Sequence, residues 1–156
     1  MNVNVELKKI ISEIYSYVLT SQVKYCKFDM KHPFLEATFL NVAIFHRSLK
    51  KYGESLMMFK RLEQLQKQIY GEMNICLLYT YKNIGTCYLG IGQSEQARKY
   101  FRDCIELIEG AVYDCDKPEL KIKDKEEIAT LNQNMYLTHV SEKAYDKALE
   151  CSKKSI

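Results

Sequence analysis

Between Tyr81 and Phe101 the chain places small residues where two helices must touch, and that requirement constrains what can be built around it. Ile84, Gly85 and Tyr88 share one face of a helix at i, i+1 and i+4, and Ala97 and Phe101 share one face of a second at i and i+4. With Gly85 and Ala97 at the crossing, the two backbones can approach closely. Gly92 ends the first helix, because only glycine enters the left-handed region without steric penalty, and Ser94 can then cap the helix that follows. The stretch therefore predicts an antiparallel helical hairpin, and a leucine at Gly85 is expected to overpack it.

The same arrangement recurs earlier in the chain. Val42-Ala43 precedes Ile84-Gly85 by 42 residues, Tyr52 opens a second helix, Phe59 takes the part of Phe101 and Ser55, 42 residues before Ala97, stands in its place. Leu56, Phe59, Leu62 and Leu65 give that helix one apolar face, and Gly71 closes it. Pro33 suits the first turn of the helix that begins this unit, after a break from Asp29. A third unit is legible in Ala129-Thr130-Leu131-Asn132 and Tyr145-Asp146-Lys147-Ala148-Leu149. There Tyr136 replaces the small residue and His139 the tyrosine, so the third hairpin is expected to open wider.

This spacing of an aromatic, an aliphatic-small pair, a tyrosine, and then a small residue and an aromatic resembles the tetratricopeptide repeat. His32-Pro33 followed by Ala37-Thr38-Phe39-Leu40-Asn41-Val42-Ala43, together with a period longer than the common unit of about 34 residues, resembles the kinesin light chain type. The resemblance implies an all-α fold, a short right-handed solenoid of helical hairpins. The expected organisation is an amphipathic helix over 1–29, then hairpins at about 34–70, 74–110 and 118–156, with a loop insertion near 110–118. Three repeats are about the minimum for stability, since each hairpin buries its faces only against neighbours.

The first helix carries Leu7, Ile11, Ile14, Val18 and Tyr25 at spacings of three and four. Two readings of it stand: a capping helix on the next hairpin, or the second helix of a half repeat. Leu7, Ile11, Ile14 and Val18 are in either case the expected end surface for a partner, and the last helix is expected to end uncapped.

Composition narrows the function classes. A hydrophobic content of 47% supports one packed domain, and no apolar run approaches the roughly 18 residues of a membrane span. A net charge of +3 with interleaved signs leaves no nucleic-acid footprint. The six cysteines, Cys26, Cys76, Cys87, Cys104, Cys115 and Cys151, contain no pair at metal-ligand spacing and read as reduced structural residues of a cytoplasmic protein. No metal, cofactor or small-molecule substrate is expected.

Nothing converges on catalysis either. His32 falls in a loop, and His46 and His139 share one repeat position, which argues for packing. Gly90-Ile91-Gly92 joins two helices and lacks the lysine of a phosphate loop, so it is read as a turn. Glu126-Glu127 lies in a highly charged stretch and reads as solvated. The chain is expected to be a non-enzyme.

One residue before each aliphatic-small pair stands an asparagine: Asn41, Asn83 and Asn134. An asparagine offers a donor and an acceptor to a peptide backbone, so a row of them along a concave face can hold an extended chain whatever its side chains. The kinesin light chain resemblance implies this use, with other proteins as partners. Neighbouring groove positions are Leu40, Ile44 and Arg47, then Tyr79, Lys82 and Thr86, then Thr130 and Leu137. Arg47 and Lys82 add positive charge, so a partly apolar, mildly acidic segment fits best. Leu40 and Ile44 stand where a clamp for chaperone tails needs lysine and asparagine, which disfavours that ligand. The expected function is an interaction scaffold; the alternative is a permanent subunit of a cytoskeletal or axonemal assembly, held through its end helices.

Overall fold

The close approach expected at Gly85 is present. A Cβ built there would lie 2.5 Å from Cε1 of Phe101, nearer than side-chain carbons ever come, so glycine alone fits while Phe101 keeps its place. Ala97 is fully buried on the same helix as Phe101. The computed structural model describes residues 3–25, 33–112, 118–141, 150 and 152–154. Among these the elements are α1 (Val3–Tyr25), α2 (Pro33–Ser48), α3 (Tyr52–Tyr70), a 3₁₀ turn (Ile75–Leu77), α4 (Leu78–Gly90), α5 (Ser94–Val112) and α6 (Pro118–Ser141). No strand occurs among the described residues. The fold is an all-α solenoid of hairpins in which α2 packs on α3 and α4 on α5, with α3 meeting α4 and α5 meeting α6 between hairpins.

Turn chemistry sets these boundaries. Gly92 has φ +80°, and the end of α4 closes as a Schellman motif in which Gln93 N–H donates to Tyr88 C=O (2.8 Å) and Gly92 N–H to Leu89 C=O (3.0 Å). Gly71 has φ +90° and donates to Lys67 C=O at 2.9 Å, ending α3. Pro33 and Pro118 are each the first helical residue, where a missing N–H costs nothing. Ser94 is also a first helical residue. The cap position passes to Gln93, whose carbonyl accepts the first helical bond from Ala97 N–H at 3.1 Å.

One continuous core runs through the hairpins, built from Leu35, Phe39 and Ala43 of α2, Phe59, Leu62 and Leu65 of α3, Tyr81, Ile84 and Cys87 of α4, and Phe101, Cys104 and Ile108 of α5. Leu131 and Met135 carry it into α6. Ser55 is more than a small residue at its crossing: its hydroxyl donates to Ala43 C=O at 2.8 Å and lies 3.4 Å from the Cys87 thiol, tying α2 to α3. Burial raises the Cys87 thiol and pushes Cys104 up to about 12, so both stay protonated. Between hairpins, Glu63 is buried and accepts from the Tyr100 hydroxyl at 3.1 Å, with Lys60 at 3.1 Å and Lys67 at 3.4 Å supplying its counter-charge.

Three expectations change. Gly110 does not open the connection after α5, because the helix runs on to Val112; an exposed helical glycine costs only about 1 kcal/mol relative to alanine. Gly90 is not part of the turn but the last residue of α4, and a Cβ there would meet the Tyr52 ring at 2.5 Å. On α1, Ile11 and Val18 are half-buried while Ile14 is 55% exposed. The face toward α2 also carries Tyr15, whose ring lies 5.3 Å from Phe45, and the helical turn sets Ile14 about 60° away from Ile11. Ile10, Ile14 and Tyr17 thus form an outer stripe. The side chain of Leu7, His32, Cys26, Cys115, Cys151 and the Tyr145–Leu149 segment lie outside the described residues, and with them the width of the third hairpin.

Candidate functional site

The first helix of each unit, α2, α4 and α6, carries the candidate positions, and side chains link these helices along one face. Arg47 of α2 donates through its guanidinium to Asn83 Oδ1 on α4. Lys82 of α4 pairs with Glu127 of α6, Nζ to Oε1 at 2.5 Å. Successive first helices are therefore joined by one polar bridge each, and both bridges begin at residues the sequence assigns to the groove.

The three asparagines are not presented alike. Asn41 is exposed and Asn134 half-buried, whereas Asn83 is 2% exposed. Asn83 Nδ2 donates to Tyr79 C=O at 2.7 Å while its oxygen accepts from Arg47. An amide has two N–H donors and two acceptor lone pairs, so each side of Asn83 retains capacity for one further bond. At 2% exposure, however, Asn83 is covered by its own fold, so it does not present its amide to solvent as Asn41 does and serves to hold Arg47.

The remaining positions divide by chemistry. Leu40 and Ile44 are half-buried and pack against the core. Tyr79 is 46% exposed and Leu137 50%, so these two present apolar surface to solvent. The hydroxyls bond back to their own helices: Thr86 donates to Lys82 C=O and Thr130 to Glu126 C=O, both at 2.9 Å. Of the two expected cations, Lys82 already faces a carboxylate and Arg47 a neutral amide.

The repeating unit behind this arrangement is also recognisable at the level of family. A sequence model described as Tetratricopeptide repeat matches residues 34–109. Residues 34–109 are tetratricopeptide repeats. Such repeats generally serve as non-catalytic scaffolds for protein–protein interaction. The crystal structure of BtubC (BKLC) from P. vanneervenii is similar in fold, with a TM-score of 0.74, at 13% sequence identity. The match covers 96% of this chain and 56% of that one, so this chain spans little more than half the length of its structural neighbour. No curated protein matches the sequence.

Within the tetratricopeptide framework, the residue that sequence reasoning passed over is Glu127. Read as solvated, it is instead bonded to Lys82, which lies in the preceding repeat. Its signal was available: Glu127, Thr130, Asn134 and Leu137 recur at three and four residues, one helix face extended by a turn. His46 lies half-buried beside the α2–α3 turn, its Nδ1 buried without a hydrogen-bond partner, and burial holds its pKa below the usual histidine value against the opposing effect of Glu54. His139, half-buried on α6, lines a cleft of about 590 Å³ between α5 and α6 with Arg98, Arg102 and Lys154. Arg98 there already bonds Glu95 and Thr138, which makes the cleft a charged seam of the fold. Among the described residues, no three His, Cys, Asp or Glu side chains gather as a metal site, and no helix is long and apolar enough to cross a membrane.

Proposed function

We propose that the face shared by α2, α4 and α6 binds an extended segment of another protein, as a non-catalytic scaffold. The observation that carries this reading is the polar centre at Asn83 and Arg47, flanked along the same face by the exposed apolar side chains of Tyr79 and Leu137. Asn41 and Asn134 occupy the equivalent turns of the neighbouring repeats and supply backbone contacts, while the apolar residues take alternate side chains of the segment. Arg47, bonded to a neutral amide, favours a carboxylate on that segment. Nucleic acid, membrane and small molecules are not the ligands of this face, and the protein acts in the cytoplasm.

Selection of peptides from a displayed random library on the immobilised chain tests this reading. Asn41→Ala with Asn134→Ala should abolish capture while circular dichroism stays unchanged. These two are preferred to Asn83, whose amide also holds Arg47 and Tyr79. Undiminished capture by the double variant would count against the groove.

A second reading has its own observation. Ile10, Ile14 and Tyr17 expose a continuous apolar stripe on α1, as expected of a subunit held in a cytoskeletal or axonemal assembly through its end helix. Ile14→Lys then disrupts assembly, whereas the asparagine changes do not.

A further inference from the structure

We propose that Glu127 is a specificity-determining residue of the groove, a built-in competitor that occupies Lys82 and must be exchanged for a carboxylate of the bound segment. This rests on the groove reading above and adds the chemistry of one position.

Lys82 sits at the middle of the candidate face, one residue before Asn83 and one turn from both Tyr79 and Thr86. Any segment that packs on the exposed Tyr79 ring, one turn away on the same helix, brings a side chain within range of the Lys82 ammonium. That place is taken. Glu127 Oε1 lies 2.5 Å from Lys82 Nζ, and the two side chains are 32% (Lys82) and 30% (Glu127) exposed, so the pair is reachable from solvent without being fully screened by it. Glu127 comes from the same helix face as Thr130, Asn134 and Leu137, and its carboxylate therefore stands in the groove as an acidic side chain of a ligand would.

The two cations of the face are consequently not equivalent. Arg47 donates to the Asn83 amide and keeps its full charge available to a ligand, whereas Lys82 is neutralised by a residue of its own chain. With Glu127 in place, the α2–α4 half of the face favours an acidic side chain and the α4–α6 half a neutral one. An acidic residue at the second half binds only by displacing Glu127, and this exchange of one ion pair for another returns little net energy because the pair it breaks is of the same kind. The same exchange undoes a bridge between α4 and α6. Binding of a doubly acidic segment thereby costs that one bridge, while Leu131 and Met135 keep α6 on the core.

The test is parallel selection from one displayed library of random decapeptides on the wild-type chain, on Glu127→Gln, and on Lys82→Met with Glu127→Gln. Glutamine keeps the size of the side chain and removes its charge, and a melting curve checks each variant. Glu127→Ala gives the same comparison should glutamine bond Lys82 too well. The expected result is a several-fold enrichment of aspartate and glutamate in peptides selected on Glu127→Gln over those selected on the wild type. It should be lost in the double variant. A fluorescein-labelled peptide from the Glu127→Gln pool should bind the wild-type chain roughly threefold more weakly, about 0.7 kcal/mol. Equal acidic content in the wild-type and Glu127→Gln pools, with capture still sensitive to Asn41→Ala and Asn134→Ala, would overturn the role of Glu127 and leave the groove standing. Capture insensitive to those asparagine changes would overturn both.

Discussion

The α4–α5 hairpin and helix α6 are written on one pattern yet are held differently. In the hairpin, Gly85 lets the Phe101 ring lie against the backbone of α4, and no larger residue fits there. At the equivalent place α6 carries Tyr136, half-buried, and α6 is anchored instead through Leu131 and Met135 against the core and through Glu127 to Lys82. The small residue thus sets how closely the helices approach. Where it is absent, larger apolar side chains and a charge pair at the rim hold the element.

Replacing Gly85 with leucine should break this contrast most severely. The new side chain cannot avoid Phe101, and overpacking of this kind costs roughly 1–3 kcal/mol, with this site expected near the upper end. A denaturant melt reads the loss directly, and an unchanged midpoint would remove the basis for the close crossing. The next effect in size concerns the junction between the first two hairpins. Tyr100→Phe leaves the buried Glu63 carboxylate with two lysines but without its hydroxyl donor, for a loss of about 1 kcal/mol. The hydroxyl itself stays protonated through the accessible pH range, since burial first and then Glu63 raise its pKa. Tyr136→Ala should cost less than either, about 0.5 kcal/mol, if the half-buried ring of α6 is not a crossing contact. A loss as large as that of Gly85→Leu would show that α6 is sealed like the hairpin after all.

The smallest effect is one of pH. His46 has a folded pKa below its ordinary value of about 6.5, chiefly through burial, so below that pH the unfolded chain binds more protons than the folded one. Its contribution is fully present above about pH 6.5 and is lost as pH falls through the folded value. His46→Phe keeps a ring at the α2–α3 turn and removes the titration. The melting temperature of that variant should fall less between pH 7 and pH 5 than that of the parent, and parallel curves would mean His46 titrates as if exposed.

What could be read from the chain and what could not divide along a physical line. Features decided within a few residues were legible: positive φ at Gly71 and Gly92 and prolines opening α2 and α6, because they depend on local sterics; the Gly85–Phe101 crossing was legible only through small residues matched on two helix faces. The 42-residue period carried the first hairpin onto the second. Features decided by the distance between helices were not. Nothing in spacing shows that Arg47 reaches Asn83, that Glu127 reaches Lys82, or that Tyr52 lies on Gly90. The rotation of α1 about its axis, which turns Ile14 outward and Ile11 inward, is likewise a matter of what α2 offers it. As a result, the placement of the candidate residues on α2, α4 and α6 was legible while their electrostatic pairing was not.

Whether the α2–α4–α6 face receives an extended segment is read most directly by titrating the ¹⁵N-labelled chain with a library-selected peptide and following amide chemical shifts. The largest shifts are expected at Asn41, Tyr79, Asn134 and Leu137, with α1 unmoved. Shifts confined to Ile10, Ile14 and Tyr17, with those four positions unchanged, would contradict this and place the partner on the first helix.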